Sequence, residues 1–181
     1  MVRKIRKISQ TGYYHVMSRG NNKQIIFRDE SDRLKYLSCI KDALKKHNLK
    51  LICYCLMSNH THLVIYDKEN QLSLFMLTLN SKYASYFNKK YERVGYLFQD
   101  RFRSECIGDE RQLLAAYRYV LNNPYKAGLC RPWEYKWNSY ACFQKPSSIV
   151  DTNIISDLIV DENQHKDFIS SYADEHFIDV E

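Results

Sequence analysis

The sequence predicts an α+β fold of the ferredoxin-like (RRM-like) type, in which an antiparallel sheet is built in the order βαββαβ. Two long segments, residues 31–47 and 72–91, repeat apolar residues about every 3.6 positions, as helices packed on a core do. Shorter runs rich in Tyr, Val, Ile and Phe flank both segments, as strands do. This order predicts two helices on one face of the sheet and leaves the other face for a functional site or a further helix.

The first strand and the first helix are marked by local signals. The aromatic run GYYHVMS, residues 12–18, has the composition of a strand, and Gly20 punctuates the loop that follows. The helix over residues 31–47 can be capped by Asp29 or Ser31, whose side-chain oxygens accept from the N–H groups of a first turn. A strand followed by a helix therefore opens the fold.

A hairpin and a second helix come next. Two apolar runs, residues 49–57 and 60–67, are separated only by Ser58 and Asn59, which favours a tight turn between antiparallel strands. Residues 72–91 then carry an aromatic and methionine stripe on one helical face, which is typical of a packed core.

A fourth strand and an added helix complete the prediction. The strand is expected within residues 96–107, where Arg101 and Arg103 are two positions apart and so share one face. The third helix is expected over residues 110–123 and ends before Pro124, because the residue before a proline disfavours the helical conformation. This helix can cover the open face of the sheet.

The charge is distributed unevenly along the 181 residues, whose net charge is +6. Residues 1–144 carry a net charge of +13, while residues 145–181 carry −7. We therefore predict one basic domain over residues 1–144 and an acidic C-terminal extension over residues 145–181, with short helices around residues 154–159 and 165–173. A basic domain favours a polyanionic partner, and a merely solvated surface is the alternative.

Composition also argues against two classes of protein. No stretch of about 18 apolar residues occurs, so no membrane-spanning helix is expected. The sequence MVRKIRKISQ lacks the apolar segment of a signal peptide, and the six cysteines form no Cys-x-x-Cys motif. We expect a cytoplasmic protein with reduced thiols.

Two histidines one residue apart are the strongest local signal for chemistry. His60 and His62 lie in the third predicted strand, where residues i and i+2 point to the same face. Two neighbouring imidazoles can each present a ring nitrogen to a divalent metal ion. The pair alone is weak evidence, since such histidines also occur on surfaces and in cores.

The third predicted helix can supply the rest of a site. Tyr119 and Asn123 are four residues apart and share one helix face. If that helix covers the sheet, Asn123 can bring an amide oxygen to the metal, and Tyr119 lies one turn away. Two imidazoles and an amide oxygen suit Mg²⁺ or Mn²⁺, although the same ligands also suit zinc. Tyr119 is then a candidate covalent nucleophile, whereas Tyr117, about 200° around the helix, faces elsewhere.

In these segments the sequence resembles the single-tyrosine HUH transposases, most closely the REP-associated tyrosine transposases and related insertion-sequence enzymes. The matching segments follow the order of the family over roughly residues 12–143: YYHVMSRGNN, LMSNHTHLVI, YLFQDRFRS, YRYVLNNPYKAGL and YKWNSY. HUH denotes His, a bulky apolar residue and His, and here the middle residue is Thr61, a mild departure. Because Thr61 is expected to face away from the metal, activity is not expected to be lost.

The resemblance implies a metal-dependent enzyme that nicks and joins single-stranded DNA, with residues 1–144 as its catalytic domain. It implies that His60, His62 and Asn123 hold the metal and that Tyr119 forms a 5′-phosphotyrosine bond, freeing a 3′-hydroxyl. The expected partner is single-stranded DNA with hairpin or palindromic elements, bound by a monomer or a homodimer. The candidates for DNA contacts, each with a surface or helix-capping role as the alternative, are Arg19, Arg101, Arg103, Arg118 and Lys126.

Two rival functions fit the same sequence. A domesticated, non-catalytic protein would bind single-stranded nucleic acid on an RRM-like sheet by stacking bases on aromatic side chains. A metal-dependent phosphodiesterase would use water as its nucleophile in place of Tyr119. The joint presence of His60, His62, Tyr119 and Asn123 favours the transposase.

Overall fold

A four-stranded antiparallel sheet forms the centre of the structure, a computed structural model that describes residues 6–145 and 147–171. The strands are β1 (Tyr13–Arg19), β2 (Lys50–Leu56), β3 (His60–Tyr66) and β4 (Arg103–Ile107). They lie in the order β2-β3-β1-β4, and each neighbouring pair is antiparallel. The predicted α+β fold of the ferredoxin-like type is confirmed.

Three long helices cover the two faces of this sheet. α1 (Glu30–His47) and α2 (Leu72–Lys90) pack together on one face, and α3 (Glu110–Lys126) packs on the other, over β2 and β3. The sheet therefore separates two apolar cores, and the central strands β1 and β3 are buried on both faces. Because successive side chains of a strand point to opposite faces, alternate residues of each strand pack into different cores.

The fourth strand is shorter than predicted. Only Arg103–Ile107 forms a regular ladder with β1. Before this strand in the chain, an isolated antiparallel bridge joins Phe98 to Gly20. The guanidinium of Arg6 lies 3.6 Å from the centroid of the Phe102 ring and donates to the Phe102 carbonyl oxygen at 3.0 Å. The ladder with β1 begins at Arg103, the residue that follows this contact. Arg101 therefore lies just outside the strand, contrary to the prediction.

α3 continues past Pro124, where the sequence predicts its end. A proline has no N–H to donate to the carbonyl four residues earlier, which here belongs to Val120. The side chain of Asn123 compensates, because its Nδ2 donates to the Val120 carbonyl at 3.4 Å and to the Tyr119 carbonyl at 3.0 Å. The helix thus reaches Lys126, two turns beyond Tyr119.

The C-terminal extension packs against α3 through two short helices, α4 (Asn153–Leu158) and α5 (Glu162–Ser170). α5 begins earlier than predicted, because Asp161 caps it by accepting from the Gln164 N–H at 2.8 Å. Residues 172 and 173 of the predicted helix lie outside the described residues. None of the helices in the described part of the chain has the length and apolar character needed to span a membrane.

Candidate active site

The hairpin of β2 and β3 orients the two histidines of the motif. His60 and His62 project from β3 toward the α3 side of the sheet, and their ring centroids are 5.0 Å apart. Thr61 projects to the opposite side, where its hydroxyl lies 3.4 Å from that of Tyr36 on α1. The residue that departs from the motif therefore lies away from the histidines, as strand alternation requires.

Each of these histidines is held through the same ring nitrogen. Nδ1 of His60 lies 2.7 Å from Oδ1 of Asn59, and Nδ1 of His62 lies 2.9 Å from Nε2 of His15. Burial, reinforced by His15, His60 and Lys126, holds the pKa of His62 well below its usual value. His62 is therefore neutral at neutral pH, which is the form that binds a metal. With Nδ1 engaged in this way, Nε2 is the atom of each ring suited to a metal.

α3 places Tyr119 against the histidines. Its ring centroid lies 5.7 Å from that of His62 and 5.5 Å from that of His15, edge-on in both cases. Tyr117 points away, and its hydroxyl lies 2.9 Å from Nε2 of His165 in α5. Burial raises the pKa of Tyr117 well above its usual value. Of these two tyrosines, Tyr119 is the one that faces the histidines, as the helical angle predicts.

Two further polar side chains follow Tyr119 on α3. Asn123 is 8% exposed, and because its Nδ2 binds helix carbonyls, its Oδ1 is the atom that it can offer to a metal. Lys126 lies on the Tyr119 side of the helix, with Nζ 4.3 Å from the centroid of the tyrosine ring. A positive charge therefore lies beside the candidate nucleophile.

Sequence reasoning missed His15 and Glu105. His15 is fully buried on β1, and its partner across the β1–β4 ladder is Glu105, whose Oε2 lies 3.9 Å from Nδ1 of His15. The strand parity of residues 12–18 puts His15 on the face of Met17, but only the register shows that Met17 lies opposite His62. That register joins segments far apart in the chain, so no local pattern could reveal it.

Three predicted DNA-binding residues converge next to these histidines. Arg19 pairs across the sheet with His60, and with Arg101 and Arg103 it lines a hollow of about 170 Å³, which we call the basic hollow. Burial, followed by repulsion from Arg103, lowers the pKa of Arg19. Cations thus outnumber acids in the basic hollow, whose charged lining residues are Arg19, Lys23, Asp100, Arg101 and Arg103.

Arg118 lies in different surroundings. Its guanidinium carbon is 4.8 Å from the centroid of the Phe168 ring, and its Nη1 donates to the Ser171 hydroxyl at 3.3 Å. The structure therefore places Arg118 against the C-terminal extension rather than among the lining residues of the basic hollow.

Comparison with known proteins assigns the family. Residues 8–123 match the family described as "Transposase IS200 like", a range that contains both histidines of the motif, Tyr119 and Asn123. Because this range is more than half of the 181 residues, the chain belongs to the IS200-like transposases, enzymes of DNA transposition. The resemblance found in the sequence is confirmed. No curated protein matches the chain.

One solved structure shares this fold, and a second shows a weaker likeness. A REP-associated tyrosine transposase bound to a REP hairpin superposes with a TM-score of 0.67 at 12% identity, over 85% of this chain and 93% of that one. A putative transposase from Deinococcus radiodurans R1 gives a TM-score of 0.45 at 18% identity, over 67% of this chain and 97% of that one. At such low identity the first likeness establishes the fold alone, and the second adds no argument.

Proposed function

We propose that this transposase cuts and rejoins single-stranded DNA through a covalent 5′-phosphotyrosine bond at Tyr119. The observation that carries the proposal is the position of Tyr119, whose ring lies 5.7 Å from that of His62 and 4.3 Å from Nζ of Lys126. A nucleophile, a pair of imidazoles and a cation thus meet on one face of the sheet. Membership of the IS200-like family supports DNA as the substrate.

The proposed chemical step is a transesterification. The Tyr119 oxygen attacks the scissile phosphorus and gives up its proton, the phosphorus–O3′ bond breaks, and the released 3′ oxygen takes up a proton. A 3′-hydroxyl can reverse the step and join strands without a nucleotide cofactor, because the tyrosyl ester replaces one phosphodiester by another. Lys126 offsets negative charge that develops on the phenolate and the phosphate.

Access to Tyr119 requires a local rearrangement. The side chain is only 2% exposed, and the ammonium group of Lys126 covers part of its ring. A scissile phosphate therefore reaches the hydroxyl only after covering side chains move aside. An incoming phosphate attracts Lys126, so substrate binding itself favours this movement.

The side chains present fit Mg²⁺ or Mn²⁺ held by His60, His62 and Asn123. Both imidazoles engage Nδ1 with a neighbouring side chain, and the amide of Asn123 is oriented by the helix carbonyls that it binds. In the described residues no three His, Cys, Asp or Glu side chains form a metal-binding group, so the proposal needs the amide oxygen as its third ligand. A bound ion would polarise the phosphate.

The basic hollow is the proposed path of the DNA backbone. Among the described residues, Arg19, Lys23, Arg101 and Arg103 line it with a single acid, Asp100, so the lining carries an excess of positive charge, and the phosphates of a single strand offset such an excess. Lys126 contacts the same strand from α3. A hairpin in the DNA is proposed by analogy with the REP-associated transposase that was solved with a REP hairpin. Arg118 is not part of this proposed path, because it contacts Phe168 of α5 and Ser171.

Binding without catalysis, as in an RRM, agrees less well with this geometry. An RRM stacks bases on an open sheet face. Here α3 packs over β2 and β3, and the buried rings of Tyr119 and His62 meet edge-on beneath it. A phosphodiesterase that uses water would leave Tyr119 without a chemical role.

Covalent trapping tests the proposal. The full chain is incubated with Mn²⁺ and a 3′-end-labelled single-stranded oligonucleotide that carries an imperfect palindrome, and the products are separated on a denaturing gel. Wild type should form a protein–DNA adduct, while Tyr119→Phe should form none and still bind the oligonucleotide. Tyr117→Phe is the matched control, because its hydroxyl contacts His165, and it should form the adduct.

Each other outcome identifies a rival. An adduct that persists in Tyr119→Phe and disappears in Tyr117→Phe moves the nucleophile to Tyr117. Cleavage without an adduct favours the phosphodiesterase, and binding without cleavage favours the non-catalytic protein.

A further inference from the structure

We propose that His15 and Glu105 form a relay that orients His62 toward the metal, so that both act as positioning residues. The inference rests on the proposed function, because it assumes that His62 binds a divalent metal through Nε2. That function gives no role to His15, although this polar side chain is fully buried in the strand next to His62. A buried polar group in a native structure needs hydrogen-bond partners.

The contact between the two imidazoles is a directed hydrogen bond. Nε2 of His15 lies 2.9 Å from Nδ1 of His62. The ring planes differ by only 10° while the centroids are 5.1 Å apart. With so short a contact between nitrogens, these values place the rings edge to edge in nearly one plane. One nitrogen must therefore donate and the other accept, because two lone pairs would repel each other.

Metal binding by His62 decides which nitrogen donates. When Nε2 of His62 gives its lone pair to a metal, the proton of the neutral ring is on Nδ1. Nδ1 then donates to Nε2 of His15, whose own proton must be on Nδ1. Histidines that bind metals generally donate their second ring N–H to such a partner, which fixes the ring orientation and raises the basicity of the ligating nitrogen.

Glu105 stabilises this arrangement of protons. It lies directly opposite His15 in the β1–β4 ladder, and its Oε2 is 3.9 Å from Nδ1 of His15. A carboxylate near Nδ1 favours a proton there and so keeps Nε2 of His15 as the acceptor. The Glu105 side chain is 41% exposed, and at 3.9 Å its carboxylate acts on Nδ1 of His15 through its charge rather than as a hydrogen-bond acceptor.

His15 is not placed to be a third metal ligand. Its Nε2 points at Nδ1 of His62, the nitrogen opposite the one that the proposed metal uses. In the part of the chain that the structure describes, no group of three His, Cys, Asp or Glu side chains is arranged to hold a metal. The acceptor of the His62 N–H is the role that the geometry gives to His15.

Calorimetric titration with Mn²⁺ alone, without DNA, tests this role. Loss of such a partner typically weakens metal binding about 10- to 100-fold, and we expect this range for His15→Leu. His15→Gln should keep most of the affinity, because its amide oxygen can accept the same N–H. Glu105→Gln should show a smaller loss than His15→Leu, and Asp157→Asn, which changes an exposed acid of α4, should show none.

Nitrogen NMR of histidine-labelled protein gives a second measurement that packing alone would not change. In wild type loaded with diamagnetic Mg²⁺, the imidazole signals should show His62 protonated on Nδ1 and His15 protonated on Nδ1. In Glu105→Gln the His15 ring should lose this preference. The measurement on wild type stands even if His15→Leu fails to fold.

The outcomes separate this inference from the proposed function. The proposed metal site is wrong if wild type binds no Mn²⁺ or if His62→Ala binds Mn²⁺ as tightly as wild type. In either case the relay is wrong too, because it assumes that His62 binds the metal. If binding depends on His62 but is unchanged in folded His15→Leu, the relay alone is wrong. A His62 ring protonated on Nε2 in Mg²⁺-loaded wild type also overturns the relay.

Discussion

At the scale of single residues, two buried tyrosines of one helix have different polar neighbours. The hydroxyl of Tyr117 contacts His165, whereas Tyr119 lies against the imidazoles of His15 and His62 with Lys126 over its ring. The difference follows from the helical angle between residues two positions apart. The rotation of α3 about its axis therefore decides which tyrosine can act as the nucleophile.

The two histidines of the motif provide the prediction at this scale. Replacing both His60 and His62 by alanine should abolish Mn²⁺ binding and adduct formation together, because the variant loses both imidazole ligands. Calorimetry and the trapping gel measure the two effects. The control is His47→Ala, which removes a histidine at the end of α1 that contacts Thr78. Metal-dependent cleavage that survives the double replacement would contradict the metal role of this pair.

At the scale of elements, α5 holds the helix that carries Tyr119. Nδ2 of Asn122 in α3 donates to the carbonyl of Ile169 at 2.8 Å. His165 lies between the rings of Tyr140 and Phe143, with centroid distances of 4.7 and 4.1 Å. Burial lowers the pKa of His165 to about 4. The docking of α5 therefore depends on a neutral imidazole.

This buried imidazole makes the stability of the protein depend on pH. In the unfolded chain the pKa of a histidine is about 6.5. Between pH 6.5 and 4 the unfolded state binds a proton that the native state does not, so stability falls as pH falls. The contribution of His165 should amount to about 2 kcal/mol between pH 7.5 and 5. Urea unfolding of wild type and His165→Gln at the two pH values measures it. Equal pH dependence in both proteins would contradict the assignment.

At the scale of the whole molecule, part of the positive charge of residues 1–144 lies beside the candidate site. Arg19 ends β1, Arg101 precedes β4 and Arg103 begins it, and the basic hollow that they line adjoins His60. Cations that neutralise DNA phosphates release counterions, which makes binding depend on salt concentration.

Salt dependence tests the basic hollow. Each lost phosphate contact reduces the slope of log affinity against log salt by about 0.7 for a single strand. The double variant Arg19→Ala and Arg103→Ala should therefore bind single-stranded DNA more weakly, with a slope lower by about 1.4 if each residue makes one contact. Lys45→Ala is the control, since it removes an exposed cation of α1, which packs on the opposite face of the sheet. If the slope of log affinity against log salt is the same in the double variant and in wild type, these arginines do not contact the DNA phosphates.

Much of this molecule follows from local periodicity. The strand parity of His60 and His62 and the helical angle between Tyr117 and Tyr119 agree with the structure, in which Tyr119 lies against His62 and Tyr117 contacts His165. These rules work because they depend only on the geometry of one strand or one helix. The roles of His60, His62, Tyr119 and Asn123 stay predictions.

The remaining features depend on contacts between distant residues or on a side chain that replaces a backbone donor. β4 begins just after Phe102, whose carbonyl accepts from Arg6, and α3 continues past Pro124, where Asn123 donates to the Val120 carbonyl in place of the missing proline N–H. The place of His15 depends on the pairing of β1 with β3. None of these contacts leaves a periodic signal in the sequence.

The most direct test of the central claim is the mass of the trapped peptide. After the adduct is digested with nuclease and trypsin, cleavage behind Arg118 and Lys126 separates residues 119–126 from residues 112–118, which contain Tyr117. We expect a nucleotide mass on the peptide 119–126, with fragmentation placing it on Tyr119 rather than on Tyr125. A nucleotide on the peptide 112–118 or on Tyr125 would rule out Tyr119 as the nucleophile.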